Sequence, residues 1–374
     1  MPSLLALQPL LWISALNAQG LSAFSYGLSL NSMSAMPRAP SRTPDTLNAW
    51  QARGSYSERP TWLNDVSQSV GVRAPAKAPR WVWSAAWKMG KRALPFLHRW
   101  DPCCPQDTCV NLVVVWLKAI AGNRLGKSKG DDGIAFAMLP CYTRLVIARP
   151  FCYLYPRLHH QNIAIRSAFL DAALKTEVRQ NADDGTKTSV IVLGAGFDGR
   201  GLRRMALTPE IEPDRWAEVD LESVVQQKRA LLQRALRRRP DLLALSKRIS
   251  WHAANLSNAE EARGAVCDAL LQDAQATSPR SVVYVCEALL IYLPEASARA
   301  LLSAAVDEAV GAGARRVSFC FADKLPGVQK AFDLDAATEV LAASRLQLDE
   351  ATWTPKPGLA RHMGVARFRN NDAG

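Results

Sequence analysis

An α/β fold built on a mostly parallel sheet is what this sequence predicts, and three observations carry that expectation. From about Gly133 onward, apolar strand-like runs alternate with helical patterns, the order that lays helices over parallel strands. The run TSVIVL, Thr188–Leu193, is short, β-branched and stops at glycines, as a strand buried on both faces does. Finally, 48% of the 374 residues are hydrophobic and 21% charged, ample for a packed core.

After that first strand, Trp216–Leu221 reads as a second. Leu221–Leu245 follows with Val225, Leu231, Leu232 and Leu242 at helical spacing among basic residues, its break falling near Pro240. Arg248–Leu256 offers a third strand, Glu260–Leu271 a helix, and Ser281–Tyr292 a fourth strand with its exit loop. Pro294 and Glu295 suit a first helical turn, where proline loses no hydrogen bond and an acid complements the dipole, and Leu301–Val310 continues that helix. Arg315–Phe321 is a fifth strand. Leu346–Trp353 and His362–Arg369 read as two more, expected as an antiparallel pair.

The first third differs in character. Residues 1–130 hold 15 Lys/Arg against 5 Asp/Glu, whereas the rest is close to balance, so nearly all of the +12 net charge sits there. Residues 1–44 have no Asp or Glu, only two arginines, and many Ser, Ala and Leu; they read as a targeting or disordered segment. Residues 45–132 read as a basic extension or linker punctuated by Pro and Gly, with a short helix over Trp81–Trp100, and 133–374 as the folded domain. A cytoplasmic location is the default, with an organelle (plastid or mitochondrion) as the alternative that the acid-poor start raises. No run reaches the ~18 uninterrupted apolar residues of a spanning helix, so a soluble chain without a membrane span is expected. Cys103, Cys104 and Cys109 form CCx4C, which is not a zinc spacing, and no metal is expected. No nucleic-acid-binding signature is present, and no nucleic acid is expected.

Three features carry chemistry. Val192–Arg200, VLGAGFDGR, places Gly194, Gly196 and Gly199 directly after the first strand, where the backbone can turn tightly and approach a ligand. The pattern suits a dinucleotide or an adenosyl group equally. Asp220 ends the second strand, where a carboxylate can accept from both ribose hydroxyls; a helix-terminal role is the alternative. Glu287 leaves the fourth strand amid apolar neighbours, a costly place unless it meets a cleft or a cation. His252 reads as a satisfied core or edge histidine.

Together, LGAGFDGR (193–200), AEVDLESVVQQKRALL (217–232) and CEALLIYLPEASARALL (286–302) resemble the leucine carboxyl methyltransferase family. The resemblance covers roughly 150–370. It implies a Rossmann-like class I methyltransferase fold, with a seven-stranded, mostly parallel sheet and a C-terminal antiparallel hairpin, and S-adenosyl-L-methionine as cofactor. By the same resemblance Gly194 and Gly196 line the methionine and ribose part, and Asp220 holds the ribose hydroxyls. Asn255 and Leu256 fall beside the adenine, with Asn255 standing where the family usually has Asp. Glu287 lies near the cofactor's amino-acid end, and Arg166, in IRSAFLD (165–171), pairs with its carboxylate. A surface helix charge is the alternative reading of Arg166.

The resemblance implies an O-methyltransferase acting on a carboxylate or other acidic oxygen, its acceptor a protein C-terminus or a small-molecule acid or alcohol. It names no catalytic residue. Tyr292, beside Glu287, could line the acceptor pocket. Two other readings stay open: a catalytically silent methyltransferase-fold binding protein, and a nicotinamide-dependent oxidoreductase. Against the latter, the chain offers no second mononucleotide-binding half.

Overall fold

The glycine turn expected after Leu193 sits at the centre of a seven-stranded sheet. In this computed structural model the described residues are 131–139, 157–207, 213–237, 239–271, 281–356 and 362–369, with 114–115 and 118–119. The expected 1–44 segment, most of the 45–132 extension, the Trp81–Trp100 helix and Cys103, Cys104 and Cys109 lie outside them. Described elements run α1 (Asp131–Met138), α2 (Arg157–Asp183), β1 (Thr188–Leu193), α3 (Arg200–Leu207), β2 (Arg215–Asp220), α4 (Glu222–Ala235) and α5 (Pro240–Ser246). Then come β3 (Ile249–Ala253), α6 (Ala259–Leu271), β4 (Ser281–Glu287), α7 (Glu295–Gly311), β5 (Arg316–Asp323), α8 (Leu334–Ala342), β6 (Gln347–Leu348) and β7 (His362–Arg369).

The sheet order is β3-β2-β1-β4-β5-β7-β6. β3, β2, β1, β4 and β5 are parallel, while β7 runs antiparallel to β5 and β6 antiparallel to β7. This is the α/β, mostly parallel, seven-stranded arrangement expected. β1 and β4 are buried along nearly their whole length, which is why both read as unbroken apolar runs rather than alternating ones. Ile191, Leu193, Val219, Tyr284, Phe319 and Phe321 form the centre of the core with Leu301, Leu302 and Val306 of α7. Pro294 is the N-cap of α7 and Glu295 its first residue, as expected.

Two elements depart from expectation. Leu346–Trp353 is not a full strand: only Gln347–Leu348 pairs with β7, after which Glu350–Thr352 forms a 3-10 turn. Asp349 drives the change, because its carboxylate accepts the Ala351 N–H and starts the turn, while its outer oxygen receives Arg367. Pro240 begins a second helix rather than merely ending the first; it occupies the first helical position of α5, where its missing N–H is no loss.

The order reverses between β1 and β4, since the chain leaves β1 towards β2 and β3 and returns to the other side of β1 for β4. In open α/β sheets a crevice opens at this reversal, beyond the carboxyl ends of the strands.

Candidate active site

The residues singled out from sequence gather at those carboxyl ends. Gly194 and Gly196 have φ of 63° and 47°, the left-handed region that glycine enters without a Cβ penalty. Their N–H groups are accounted for: Gly194 and Ala195 donate to the Val219 carbonyl at 2.9 and 3.2 Å, and Gly196 donates to Asp220 Oδ2 at 2.6 Å. A side chain at Gly194 would place its Cβ 2.8 Å from Leu289, so this glycine admits the β4 exit loop as well as making the turn. Asp220 also accepts from the Leu221 N–H at 2.7 Å, which locks its carboxylate against the glycine turn at the end of β2.

Glu287 ends β4 and is ringed by cations. Arg200 Nη2 donates to Oε2 at 2.7 Å, Lys118 Nζ lies 3.3 Å from the same oxygen, and Arg166 Nη2 lies 3.4 Å from Oε1. Ser167 Oγ donates to Oε1 at 3.4 Å. This answers the question its sequence context posed. A carboxylate among apolar residues is tolerable when cations surround it. Burial alone would raise the Glu287 pKa, but Lys118, Arg200 and Arg166 outweigh it and hold the group well below the usual carboxylate range.

Arg200 is the hub. Its side chain is fully buried at the first residue of α3, and it meets Asp171 at 2.8 Å, Asp198 at 3.2 Å and Glu287. Lys118 closes the ring by reaching Asp198 Oδ1 at 3.3 Å. Burial would raise Asp198 as well, yet Arg200 and Lys118 pull it down. Asp171 goes the other way: burial pushes it up despite Arg200 and Arg204. Arg203 and Arg204 bind Asp171 through its carboxylate and its carbonyl respectively, tying α3 to α2.

Within this ring Arg166 keeps a buried Nε with no hydrogen-bond partner among the described residues. Buried guanidinium donors are normally satisfied, so this one marks a place for an acceptor. The donor set fits the cofactor that the motifs imply. Arg166 and Lys118 suit its carboxylate, Glu287 its ammonium, and Asp220 a vicinal diol.

Asn255 and Leu256 follow β3 beside Asp220, whose carbonyl accepts the Ala254 N–H at 2.9 Å. Leu256 is buried. Asn255 is exposed, and its Oδ1 accepts from Ser257 N at 3.1 Å and Oγ at 2.7 Å, an Asx turn that an aspartate would make equally. Tyr292 is exposed on the short 3-10 turn Leu290–Tyr292. His252 is buried in β3, and burial lowers its pKa.

Sequence reading missed Lys118, Ser167, Asp171, Asp198 and Arg200. Asp198 and Arg200 stand inside the quoted LGAGFDGR motif, so their charge in a glycine turn was the available signal. Ser167 and Asp171 likewise stand inside the quoted IRSAFLD segment, whereas Lys118 offered none, because its partner lies far along the chain: 169 residues separate it from Glu287. Among the described residues no group of three His, Cys, Asp or Glu is placed to hold a metal, and no helix is long and apolar enough to cross a membrane.

Comparisons with known proteins bear on this site. No curated protein matches the chain in sequence. Among solved structures it is similar to an O-methyltransferase family protein from Burkholderia thailandensis, at 12% identity and a TM-score of 0.30, covering 57% of this chain and 61% of that one. The chain thus spans less than two thirds of that protein's length. It is also similar to LepI in complex with SAM, at 13% identity and a TM-score of 0.34, covering 82% and 84%. A third is the S-adenosylmethionine-dependent methyltransferase SibL in its apo form, at 15% identity and a TM-score of 0.32, covering 77% of each. The family model of leucine carboxyl methyltransferase matches residues 155–306, which hold Arg166, the glycine turn, Asp220, Asn255, Leu256 and Glu287. Over those residues, less than half of its length, the chain is similar to leucine carboxyl methyltransferases.

Proposed function

We propose that this protein is an S-adenosylmethionine-dependent O-methyltransferase whose acceptor is a carboxylate or another oxygen already acidic at neutral pH. The observation that carries the reading is the Glu287 ring, in which three cations converge beside a glycine turn and Arg166 Nε is unpartnered among the described residues. Arg166 and Lys118 would take the cofactor carboxylate, Glu287 its ammonium, and Asp220 the ribose hydroxyls. Gly194 and Gly196 would line the methionine and ribose portion, and Asn255 and Leu256 would flank the adenine. The bound cofactor supplies an electrophilic methyl group on a sulfonium.

The chain's own work is then orientation and charge. In-line displacement needs the acceptor oxygen aligned with the methyl–sulfur bond, and positioning alone contributes about 7–11 kcal/mol. The acidic and basic groups of the ring are engaged with one another, which leaves them poorly placed to remove an acceptor proton. An acceptor that is already anionic needs no base, whereas an alcohol does. A protein C-terminus and a small organic acid both meet that requirement.

Two measurements test the reading. Calorimetric titration of the full chain with S-adenosylhomocysteine should show saturable binding; none would end the cofactor assignment. Incubation with methyl-labelled cofactor and fractionated lysate should yield label released as methanol by mild base, the signature of a methyl ester. Base-stable label would overturn the carboxylate acceptor while leaving the methyltransferase intact.

A further inference from the structure

Asp323, the last residue of β5, is fully buried, and its carboxylate accepts hydrogen bonds from several donors among the described residues. Its Oδ2 accepts from the Leu289 N–H at 2.6 Å and the Leu290 N–H at 2.8 Å, with Cys286 Sγ at 3.4 Å. Its Oδ1 accepts from the Ile291 N–H at 3.1 Å and its own neighbour Lys324 at 2.7 Å. Four backbone N–H groups thus end on one carboxylate. An ionised carboxylate is acceptor-only and suits this set, whereas an amide would turn an NH2 towards N–H groups.

The segment it grips carries the site. Glu287 immediately precedes it, and Ala288 follows with φ of 53°, a left-handed conformation unfavourable for a non-glycine residue. Ala288 N donates to the Ala322 carbonyl at 3.1 Å, the last rung before Asp323 takes over. Leu289 then lies against Gly194 of the glycine turn. A backbone held in an unfavourable region persists only where its surroundings enforce it, and the N–H groups of the next three residues all close on Asp323.

We propose that Asp323 is a positioning residue for the cofactor site: it pins the β4 exit loop so that Glu287 meets Lys118, Arg166 and Arg200 and Leu289 backs the glycine turn. Asp323 itself touches neither cofactor nor acceptor; it acts through Glu287. The proposal rests on the cofactor reading given above and adds to it a residue outside the family match.

The test is a double-mutant cycle on S-adenosylhomocysteine affinity, with wild type, Asp323→Asn, Glu287→Gln and the double variant in the full chain. Asp323→Asn should weaken binding at least about ten-fold in the wild-type background and less than about three-fold once Glu287 is already Gln. Additive losses, or wild-type affinity in folded Asp323→Asn, overturn the positioning role. Failure of the wild type to bind sinks instead the cofactor reading beneath it. Should Asp323→Asn not fold, amide exchange of the wild-type chain decides. The Leu289, Leu290 and Ile291 amides should be protected without ligand, and exchange at unprotected rates overturns the clamp.

Discussion

Two clusters of carboxylates and cations fasten α2 to the sheet, one at each end of the strands. At the carboxyl ends Arg166, Ser167 and Asp171 join the Glu287–Arg200 ring. Further along the same helix, Glu177 accepts from Ser318 Oγ at 2.6 Å and from Arg367 Nη2 at 2.6 Å, and Arg367 Nη1 reaches Asp349 at 2.6 Å. The second cluster is closed, since both Glu177 oxygens and three nitrogens of Arg367 are engaged within the protein. The first leaves a buried Arg166 Nε without a partner among the described residues and crowds three cations around one carboxylate. The same residue chemistry therefore serves two ends: saturation makes a fastening, and incomplete saturation in a crevice makes a site.

The contrast can be broken most forcefully at the fastening. Glu177→Ala strands Arg367 against the sheet and should cost about 3 kcal/mol of stability by urea unfolding, yet leave S-adenosylhomocysteine affinity of the folded protein within about three-fold. A large affinity loss would mean that the two clusters are coupled. At the site the pattern should invert. Glu287→Ala and Asp220→Ala are each expected to weaken that affinity about ten-fold or more, about 1.4 kcal/mol, by calorimetry. Wild-type affinity in both would make these carboxylates fastenings too.

Smaller changes sharpen the picture. Asn255→Asp preserves the acceptor for Ser257 and should shift affinity by less than about 0.5 kcal/mol in the same titration. A larger gain would show that the family's usual charge matters beside the adenine. Least of all should pH matter to Glu287 near neutrality. Its folded-state pKa is depressed below the unfolded value, so its stabilisation is complete above about pH 4.3 and lost only as the pH falls below that. The stability difference between wild type and Glu287→Gln, from denaturant midpoints, should be constant from pH 8 to 5.5. A difference that shrinks towards pH 5.5 would show that the cations do not hold it.

Strands were legible because most are buried runs of β-branched or aromatic residues, and the long helix α2 was not. Its sheet-facing positions include Ser167, Glu177 and Asn181, all buried, so its inward face does not read as an apolar stripe. β6 was read too long, because the apolar pattern of Leu346–Trp353 does not show that Asp349 turns the chain after two paired residues. Gly194, Gly196, Asp220 and Glu287 could be picked out because each interrupts a local pattern at a strand end. Lys118, Asp171 and Asp323 break no local pattern. Their significance is set by partners that only tertiary contacts deliver, as when Asp323 meets three amides more than thirty residues upstream.

The reversal of strand order between β1 and β4 has a consequence for how the molecule could be divided. The stretch through β3 supplies the turn, Asp220, Arg166 and Arg200, while the stretch from β4 supplies Glu287 and its clamp. Cut between β3 and β4, each fragment would hold an uncompensated half of the charge set and an exposed edge of a central strand. Ligand capture would then return only on reassociation, which makes the connection after α6 a natural place to build a split reporter.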